Sequence, residues 1–589
     1  MNPIKRYRIT IFSYLPFLAF FACVFIYFCF FGDYVLFYQE KFSLFIFSFD
    51  FLRENLHQPG GFLIWLGKLF STFFYHPFTG ALVIAALISL IVYFITEIGR
   101  LVTGKNSIIL PIIAGIILFY VQTDYQFFLF NTIGLLLQVI IFYISVKYLR
   151  LLRGWVPLIF GPLLYFASGG FAWIFLIQFT LWLAFGKENA KWIKLILFWS
   201  IIYLTFYISK EFLFFQTTKM LLTFPFTELN TGMHHSVFLA LCGILSLMPL
   251  MLKVWVPEKL TLMKPSGFFI TSILVIVVML VISYVRFDKK TSGYFHVEKL
   301  FYQNKFDEII AFNTKNTPTN QLSIFLNNIA LCETNQLNDK LFNFPQNTDG
   351  STLFLKWEMI GEILRRGGYF YYSVGMVNEA HRWAFENMVM KGHTPEGLKM
   401  LIKTELINGN YKVASRYIDL LKKTLYYRNE ALNLEKMLFN DIAVNDDPEL
   451  GEKRRTRLHT DFFAITDDPY INLGRILITD SLNKKAFDYM MAIQMVKKNY
   501  QGIAILLPRF SSLGYRKFPV NVEEAATALS VLNNGILPDL GNIQISSNTS
   551  NRWTQYLTVF QQYGTNPKAA EPALKRQFGN TFWYWAFYK

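Results

Sequence analysis

The chain has 589 residues, of which 53% are hydrophobic and 18% aromatic, and only 16% carry charge, well short of the roughly 25% of an ordinary soluble protein. A mean hydropathy of +0.33 excludes a wholly water-soluble protein. The net charge of +16 lies largely beside apolar runs and points to an anionic lipid leaflet, with no nucleic-acid partner.

The four cysteines, Cys23, Cys29, Cys242 and Cys332, form no Cys-x-x-Cys motif. Three lie in apolar runs, which excludes a disulfide framework and gives no sign of a zinc or redox centre.

The first half, 1–290, reads as a transmembrane domain. Nine apolar segments near the ~20 residues needed to cross a bilayer are predicted. They fall at about 9–31, 80–99, 107–122, 127–146, 155–169, 170–186, 191–209, 235–252 and 266–286, good to a few residues. Only Ala167-Ser168-Gly169-Gly170 separates the fifth from the sixth, so these two form either a tight hairpin or one interrupted segment. The first run is too long for a signal peptide and has no small-residue cleavage site.

Orientation follows from the basic residues. One set of short loops holds Lys5, Arg6, Arg8, Arg100, Lys105, Lys147, Arg150, Arg153, Lys187, Lys191, Lys194, Lys253, Lys259 and Lys264, fourteen in all. The other set holds five: Lys41, Arg53, Lys68, Lys210 and Lys219. The N-terminus is therefore expected in the cytoplasm. An odd number of spans puts the second half on the far side, the periplasm of a Gram-negative cell. No clear charge sits at mid-span, where one costs about 2.5–3.5 kcal/mol and usually marks an ion path. That argues against a transporter.

The outer loops carry the polar chemistry. The first, about 32–79, has Asp33, Glu40, Asp50, Glu54, His57 and His76 among aromatics. Its segment Phe62–Phe74 is expected as an interfacial amphipathic helix anchored by Trp65. The next outer loop holds Asp124. A later one, about 210–234, is interrupted by Pro225, reads as re-entrant or interfacial, and contains Glu228 and His234, with His235 following. Carboxylates at a membrane mouth can hold a divalent metal or act as a base. Solvated charge is the competing reading for each of them. Glu40 is the strongest candidate because it lies just beyond the first span within an aromatic stretch.

The second half, 291–589, reads as a soluble helical domain. Stretches beginning at Val297, Leu401 and Leu482 each run as an apolar helix, a short Asn or Gly turn, an aromatic residue and a second amphipathic helix. Tyr372–Met388 has the same turn, with Ala380 and Ala384 on its helix. This pattern resembles tetratricopeptide repeats, although the full consensus is missing and the spacing drifts. An irregular all-α domain is the alternative. The predicted fold class is thus all-α: a transmembrane bundle of about nine spans followed by a tetratricopeptide-like solenoid. Such stacks offer a concave surface to partners.

Gln39-Glu40, Pro59-Gly60-Gly61, Pro77 with Gly80, and Ser168-Gly169-Gly170 together resemble a family of polytopic inner-membrane proteins of Bacteroidota with a periplasmic repeat-like tail. That resemblance implies an architecture and a bacterial inner-membrane location, but no activity.

The layout also resembles the GT-C glycosyltransferases. These use lipid-phosphate-linked sugars and carry a catalytic acid and an interfacial helix in a long first outer loop. The resemblance implies Glu40 or Asp33 as the catalytic carboxylate and Asp124 as the second acid. It implies Lys41, Arg53 or Lys210 at the donor phosphate, with His57, His76, His234 and His235 completing the substrate-binding set. The partners implied are membrane lipid, a polyprenyl-phosphate-linked sugar donor and a periplasmic protein acceptor. The metal ligands stay unknown. Mg or Mn would suit such a site, but no Asp-x-Asp or Glu-x-Asp pair occurs in the first loop, and metal dependence stays open. Two functions compete: sugar transfer, and a non-enzymatic repeat scaffold for envelope assembly or secretion.

Overall fold

A chain that crosses hydrocarbon must pair its backbone N–H and C=O groups internally, which favours helices. A computed structural model describes residues 14–104, 108–148, 156–186, 190–226, 233–254, 265–358, 361–458, 463–464, 468–564 and 566–589. Among the described residues all regular structure is helical. The chain forms two compact units. One comprises Met1–Asp288 with Lys423–Tyr426, and the other comprises Lys289–Lys422 with Tyr427–Lys589.

In the first unit α1 spans Leu15–Phe30, α2 Asp33–Phe42, α3 Phe49–Asn55, α4 Gly61–Ser71, α5 Pro77–Thr103, α6 Ile109–Gln122 and α7 Leu129–Tyr148. Then come α8 Val156–Ser168, α9 Ala172–Ala184, α10 Lys191–Ile208, α11 Thr218–Thr223, α12 Met233–Val254 and α13 Pro265–Arg286. Among the described residues six helices are long and apolar enough to cross a membrane, or seven if α1 and α2, bent by 70°, count as one span. The sequence reading expected nine.

Two elements make the difference. The segment at 107–122 becomes the 14-residue α6, about 21 Å long against a hydrocarbon core of ~30 Å. The fifth and sixth segments merge into one 28-residue stretch by length and composition, yet its two halves run in opposite directions. A Cβ on Gly161 would stand 3.4 Å from Leu176 Cδ2, whereas fifteen residues of continuous helix span about 22 Å. Of the two arrangements the sequence allowed here, the structure has the hairpin.

The reversal sits at Gly169, whose φ of +57° is the left-handed region that glycine alone enters without a Cβ penalty. A Cβ there would lie 2.3 Å from the Phe224 carbonyl oxygen and 2.8 Å from that of Pro59. The backbone at this tip is paired: Gly60 N–H donates to Phe166 O at 3.0 Å and Gly170 N–H to Phe224 O at 2.6 Å. Tyr165 OH donates to Leu221 O at 3.1 Å and Trp173 Nε1 to Leu222 O at 3.0 Å. The Pro-Gly-Gly turn, the Ser-Gly-Gly tip and the segment after α11 thus meet at one point.

Side-chain contacts give every helix a direction. Phe25 of α1 meets Phe78 at the start of α5 (centroids 5.3 Å), and Tyr27 meets Phe119 near the end of α6 (5.2 Å). Phe171 meets Phe238 (6.1 Å), and Gln178 Nε2 donates to Leu245 O (2.8 Å), so α9 and α12 run parallel. A Cβ on Gly99 would stand 3.8 Å from Leu252, where α5 and α12 both end. Arg286 Nε, ending α13, donates to Thr123 Oγ1, just past α6, at 2.9 Å. The chain therefore leaves this unit at Arg286 on the face opposite the one where α1 begins. We call these the exit face and the entry face.

The helix expected along the interface at Phe62–Phe74 forms α4, which buries one side against α7 and leaves Phe62, Ile64, Leu66 and Phe70 half-exposed. Gly67 brings it onto the backbone of Phe130, and Leu63 onto Gly134 of α7. Its Trp65 packs on Phe45 and Phe62. On the outside, α10 and α13 turn Ile196, Tyr203, Ile270 and Leu280 outward, as a hydrocarbon solvent requires. Lys5, Arg6, Arg8, Lys105, Arg150, Arg153, Lys187, Glu228, Lys259 and Lys264 lie outside the described residues, as do the side chains of His234 and Lys253.

The second unit is a series of helical hairpins. α14 (Lys289–Tyr302) pairs with α15 (Phe306–Lys315), followed by α16 (Gln321–Glu333). Next α17 (Gly361–Ser373) pairs with α18 (Val377–Lys391), and α19 (Pro395–Asn408) with α20 (Tyr411–Lys422). After α21 (Pro448–Thr456), α22 (Lys484–Val496) pairs with α23 (Tyr500–Leu506). A left-handed residue turns each pair: Asn304, Gly375, Gly409 and Lys498. Between α17 and α18, Gly367 and Gly368 admit the buried Trp383 edge-on, leaving no room for a Cβ. The aromatic C-terminal helix Phe582–Tyr588 packs into this unit. Trp583 Nε1 donates to Glu524 O at 2.8 Å, and Trp585 Nε1 to Val496 O at 3.1 Å.

Gly169→Ala should cost more than about 2 kcal/mol, because it adds left-handed strain to a clash with backbone. Thermal unfolding of the purified protein in detergent should show a lowered midpoint. Gly243→Ala, with nothing within 4 Å of its Cβ position, should leave it in place.

Candidate functional site

Of the carboxylates singled out in the sequence, Asp33, Glu40 and Asp124 lie toward the exit face. Asp33 opens α2, and Glu40 lies near its end; both are half-buried. Between them in importance is a residue of another kind. Gln39 is fully buried and uses both ends of its amide. Its Nε2 donates to Phe127 O at 2.8 Å, and its Oε1 accepts from Leu129 N–H at 3.1 Å. Gln122 Nε2 reaches the same Phe127 carbonyl at 3.2 Å, and Thr132 Oγ1 donates to Gln122 Oε1 at 2.6 Å. This network satisfies the turn that starts α7 and fixes α2 upon it, with Tyr38 against Tyr125 (4.7 Å).

Asp124 belongs to that turn. Its Oδ1 accepts from Gln126 N–H at 2.9 Å, and its Oδ2 lies 3.8 Å from the Arg286 guanidinium. Arg286 in turn covers the Tyr120 ring at 4.9 Å. Asp124 is therefore an ion-pair partner of the residue that ends the bundle.

The predicted cation set is dispersed. Lys41 is buried over the rings of Tyr38, Phe37 and Phe42 at 4.9–5.6 Å. Arg53 and His57 are exposed, with His57 Nδ1 2.9 Å from the Arg53 carbonyl oxygen. His76 precedes α5 with its ring edge-on to Tyr75. Lys210 is half-exposed, 3.6 Å from Glu211. His235 Nδ1 is buried in α12 and has no hydrogen-bond partner among the described residues. Among the described residues no three His, Cys, Asp or Glu side chains come together as a metal ion would need.

The second unit contains an arrangement that the sequence reading did not single out. A cavity of about 270 Å³ is lined from α14, α16, α17, α19 and α21. One wall is aromatic: Tyr369 stands against Phe301 (5.0 Å) and Tyr302 (6.0 Å). The other walls alternate carboxylates with ammonium groups. Glu449 takes Lys403 on both oxygens at 2.8 and 2.9 Å and the Tyr372 hydroxyl at 2.9 Å. Glu333 takes Lys453 at 3.2 Å, Lys485 at 2.5 Å and the Ser373 hydroxyl at 2.7 Å. Lys399 bridges Glu396 (3.0 Å) and Glu430 (2.9 Å).

Burial alone would raise the pKa of Glu333 and of Glu449. The neighbouring lysines and hydroxyls outweigh it and hold both carboxyls below their usual range. Glu396 goes the other way, raised by burial and by Glu430 against the pull of Lys399. Burial keeps the Tyr302, Tyr369 and Tyr372 phenols protonated, with pKa values well above the usual one. The floor is stiffened by a fully buried Glu298–Arg366 pair, to which Tyr302 OH donates at 2.7 Å.

A signal for this cavity does exist in the sequence. Glu396, Lys399 and Lys403 recur at helical spacing on α19, as do Glu449, Glu452 and Lys453 on α21 and Tyr369 and Tyr372 on α17. Spacing of three and four places such residues on one helix face. It does not say that the three faces meet.

By class, the fold joins an apolar helical unit with segments able to cross a membrane to a unit of helical hairpins that holds a charged and aromatic cavity. The chain belongs to DUF6057, a family of unknown function whose model matches residues 7–589. No curated protein and no solved structure matches it.

Gln39→Ala would leave the Leu129 N–H buried and unpaired, a loss of about 1–3 kcal/mol. Glu40→Ala should cost less than about 1 kcal/mol. Unfolding midpoints in detergent should rank the two in that order.

Proposed function

We propose that this protein is a membrane-anchored binding protein of the bacterial inner membrane, whose hairpin unit captures a ligand in the Glu333–Glu449 cavity. On this reading the hairpins form a degenerate tetratricopeptide-like array. The entry face is cytoplasmic, and the chain beyond Arg286 lies in the periplasm, where the array serves envelope assembly or secretion. The excess of Lys and Arg in the entry-face loops supports this sidedness. That α1 begins on one face and α13 ends on the other supports the odd crossing.

The single observation that carries the binding reading is the cavity itself. It is lined by several helices and furnished with paired charges and tyrosines, the kind of concave site with convergent polar groups where ligands bind.

A second reading retains sugar transfer from a polyprenyl-phosphate donor, with Glu40 as base, Asp124 or Asp33 assisting, and a divalent metal as an open question. It is favoured by an apolar groove of about 170 Å³ on α8–α10, lined by Tyr165, Trp173, Trp199, Tyr203 and Phe206 and ending at Leu222, wide enough for a lipid chain. The Arg286 pairing of Asp124 counts against it.

Complementation of a deletion strain separates the two. The binding reading expects Lys403→Ala with Glu449→Ala to abolish rescue at normal protein levels, and Glu40→Gln to rescue fully. Failure of Glu40→Gln, with the cavity variant active, would establish the second reading instead.

A further inference from the structure

We propose that the cavity between α14, α16, α17, α19 and α21 binds an uncharged sugar residue. The inference rests on the binding reading above and names its ligand class.

Charge is the first argument. Each ammonium at the wall already lies on a carboxylate: Lys403 on Glu449, Lys399 on Glu396 and Lys453 on Glu333. A phosphate or carboxylate ligand would have to displace one of these carboxylates and leave it buried and unpaired, which is costly. A cationic ligand meets the same obstacle from the lysines. A neutral ligand breaks no pair.

Hydrogen bonding is the second. The wall offers acceptors (Glu333, Glu396, Glu449) beside donors (Lys399, Lys403, Lys453) within one small space. A sugar hydroxyl donates once and accepts twice, so it can bridge an adjacent carboxylate and ammonium without disturbing their pairing. Tyr369, half-buried, lines the same cavity as the charged pairs. It remains a phenol, ready to donate.

Shape is the third. The Phe301–Tyr302–Tyr369 wall presents aromatic edges and faces, whose negative faces attract the slightly positive C–H groups of a pyranose ring. At about 270 Å³ the cavity falls just below the ~300–1,000 Å³ of drug-sized sites. That suits one or two sugar rings and is too short for an extended peptide.

The test uses the full chain in lipid nanodiscs, because glycoside detergents would compete for the site. Glucose, galactose, N-acetylglucosamine and maltose are titrated by calorimetry alongside glucuronate and inorganic phosphate. At least one neutral sugar should bind saturably, at least 10-fold more tightly than glucuronate or phosphate. Tyr369→Phe, which keeps the ring and the packing, should weaken that binding about 3- to 10-fold, and Lys403→Ala should abolish it.

Preference for phosphate or glucuronate would overturn the sugar assignment. So would heat from none of the four neutral sugars, or neutral-sugar binding unchanged in Tyr369→Phe. Complementation keeps the two levels apart. If no sugar binds but cavity variants still fail to rescue the deletion strain, the ligand class is wrong and the binding reading stands. If cavity variants rescue fully, the binding reading itself falls.

Discussion

Backbone pairing at a reversal buried within the apolar unit governs the rest of the first half. Where hydrocarbon replaces water, each N–H and C=O must find a partner in the chain. At Gly169 the helix stops, takes a left-handed residue and turns back, and the turn is sealed by the Pro59–Gly60 strand of backbone on one side and Phe224 on the other. Three segments distant in sequence thus satisfy one another. Because α8 and α9 return to the side from which they came, the direction of every later helix depends on this reversal, down to the face on which Arg286 emerges.

A different economy organises the second half. Its interior charges are balanced locally: Glu298 with Arg366, Glu333 with Lys453 and Lys485, and Glu449 with Lys403. Such pairs gain little net stability over apolar packing, but leaving one partner alone is expensive. They fix the relative positions of α14, α16, α17, α19 and α21, and leave between those helices a space walled largely by paired charges.

Much of the fold was legible in the sequence, because hydrophobic period and length depend on local composition. The apolar helices and the hairpin pattern of the second half could both be read there. So could the turn positions at Asn304 and Gly409, since Asn and Gly are the residues that tolerate left-handed backbone. What stayed hidden depends on direction and on distant contacts. Hydropathy does not distinguish one crossing of 28 residues from two antiparallel halves. The importance of Gln39 over its neighbour Glu40 lies in a turn ninety positions downstream, and a carboxylate beside aromatics draws attention that an amide does not. The cavity was missed for the same reason: its charges are spread over three helices, each reading as an ordinary amphipathic face.

The account stands most directly on the opposite placement of the two chain ends. In a cysteine-free background, a single cysteine is placed ahead of Met1 or beyond Lys589, and intact cells with a permeabilised outer membrane are treated with a thiol reagent that cannot cross the inner membrane. The account predicts that the C-terminal cysteine is labelled and that the N-terminal one reacts only after lysis. Equal labelling of the two ends, or equal protection, would mean an even number of crossings and would contradict it.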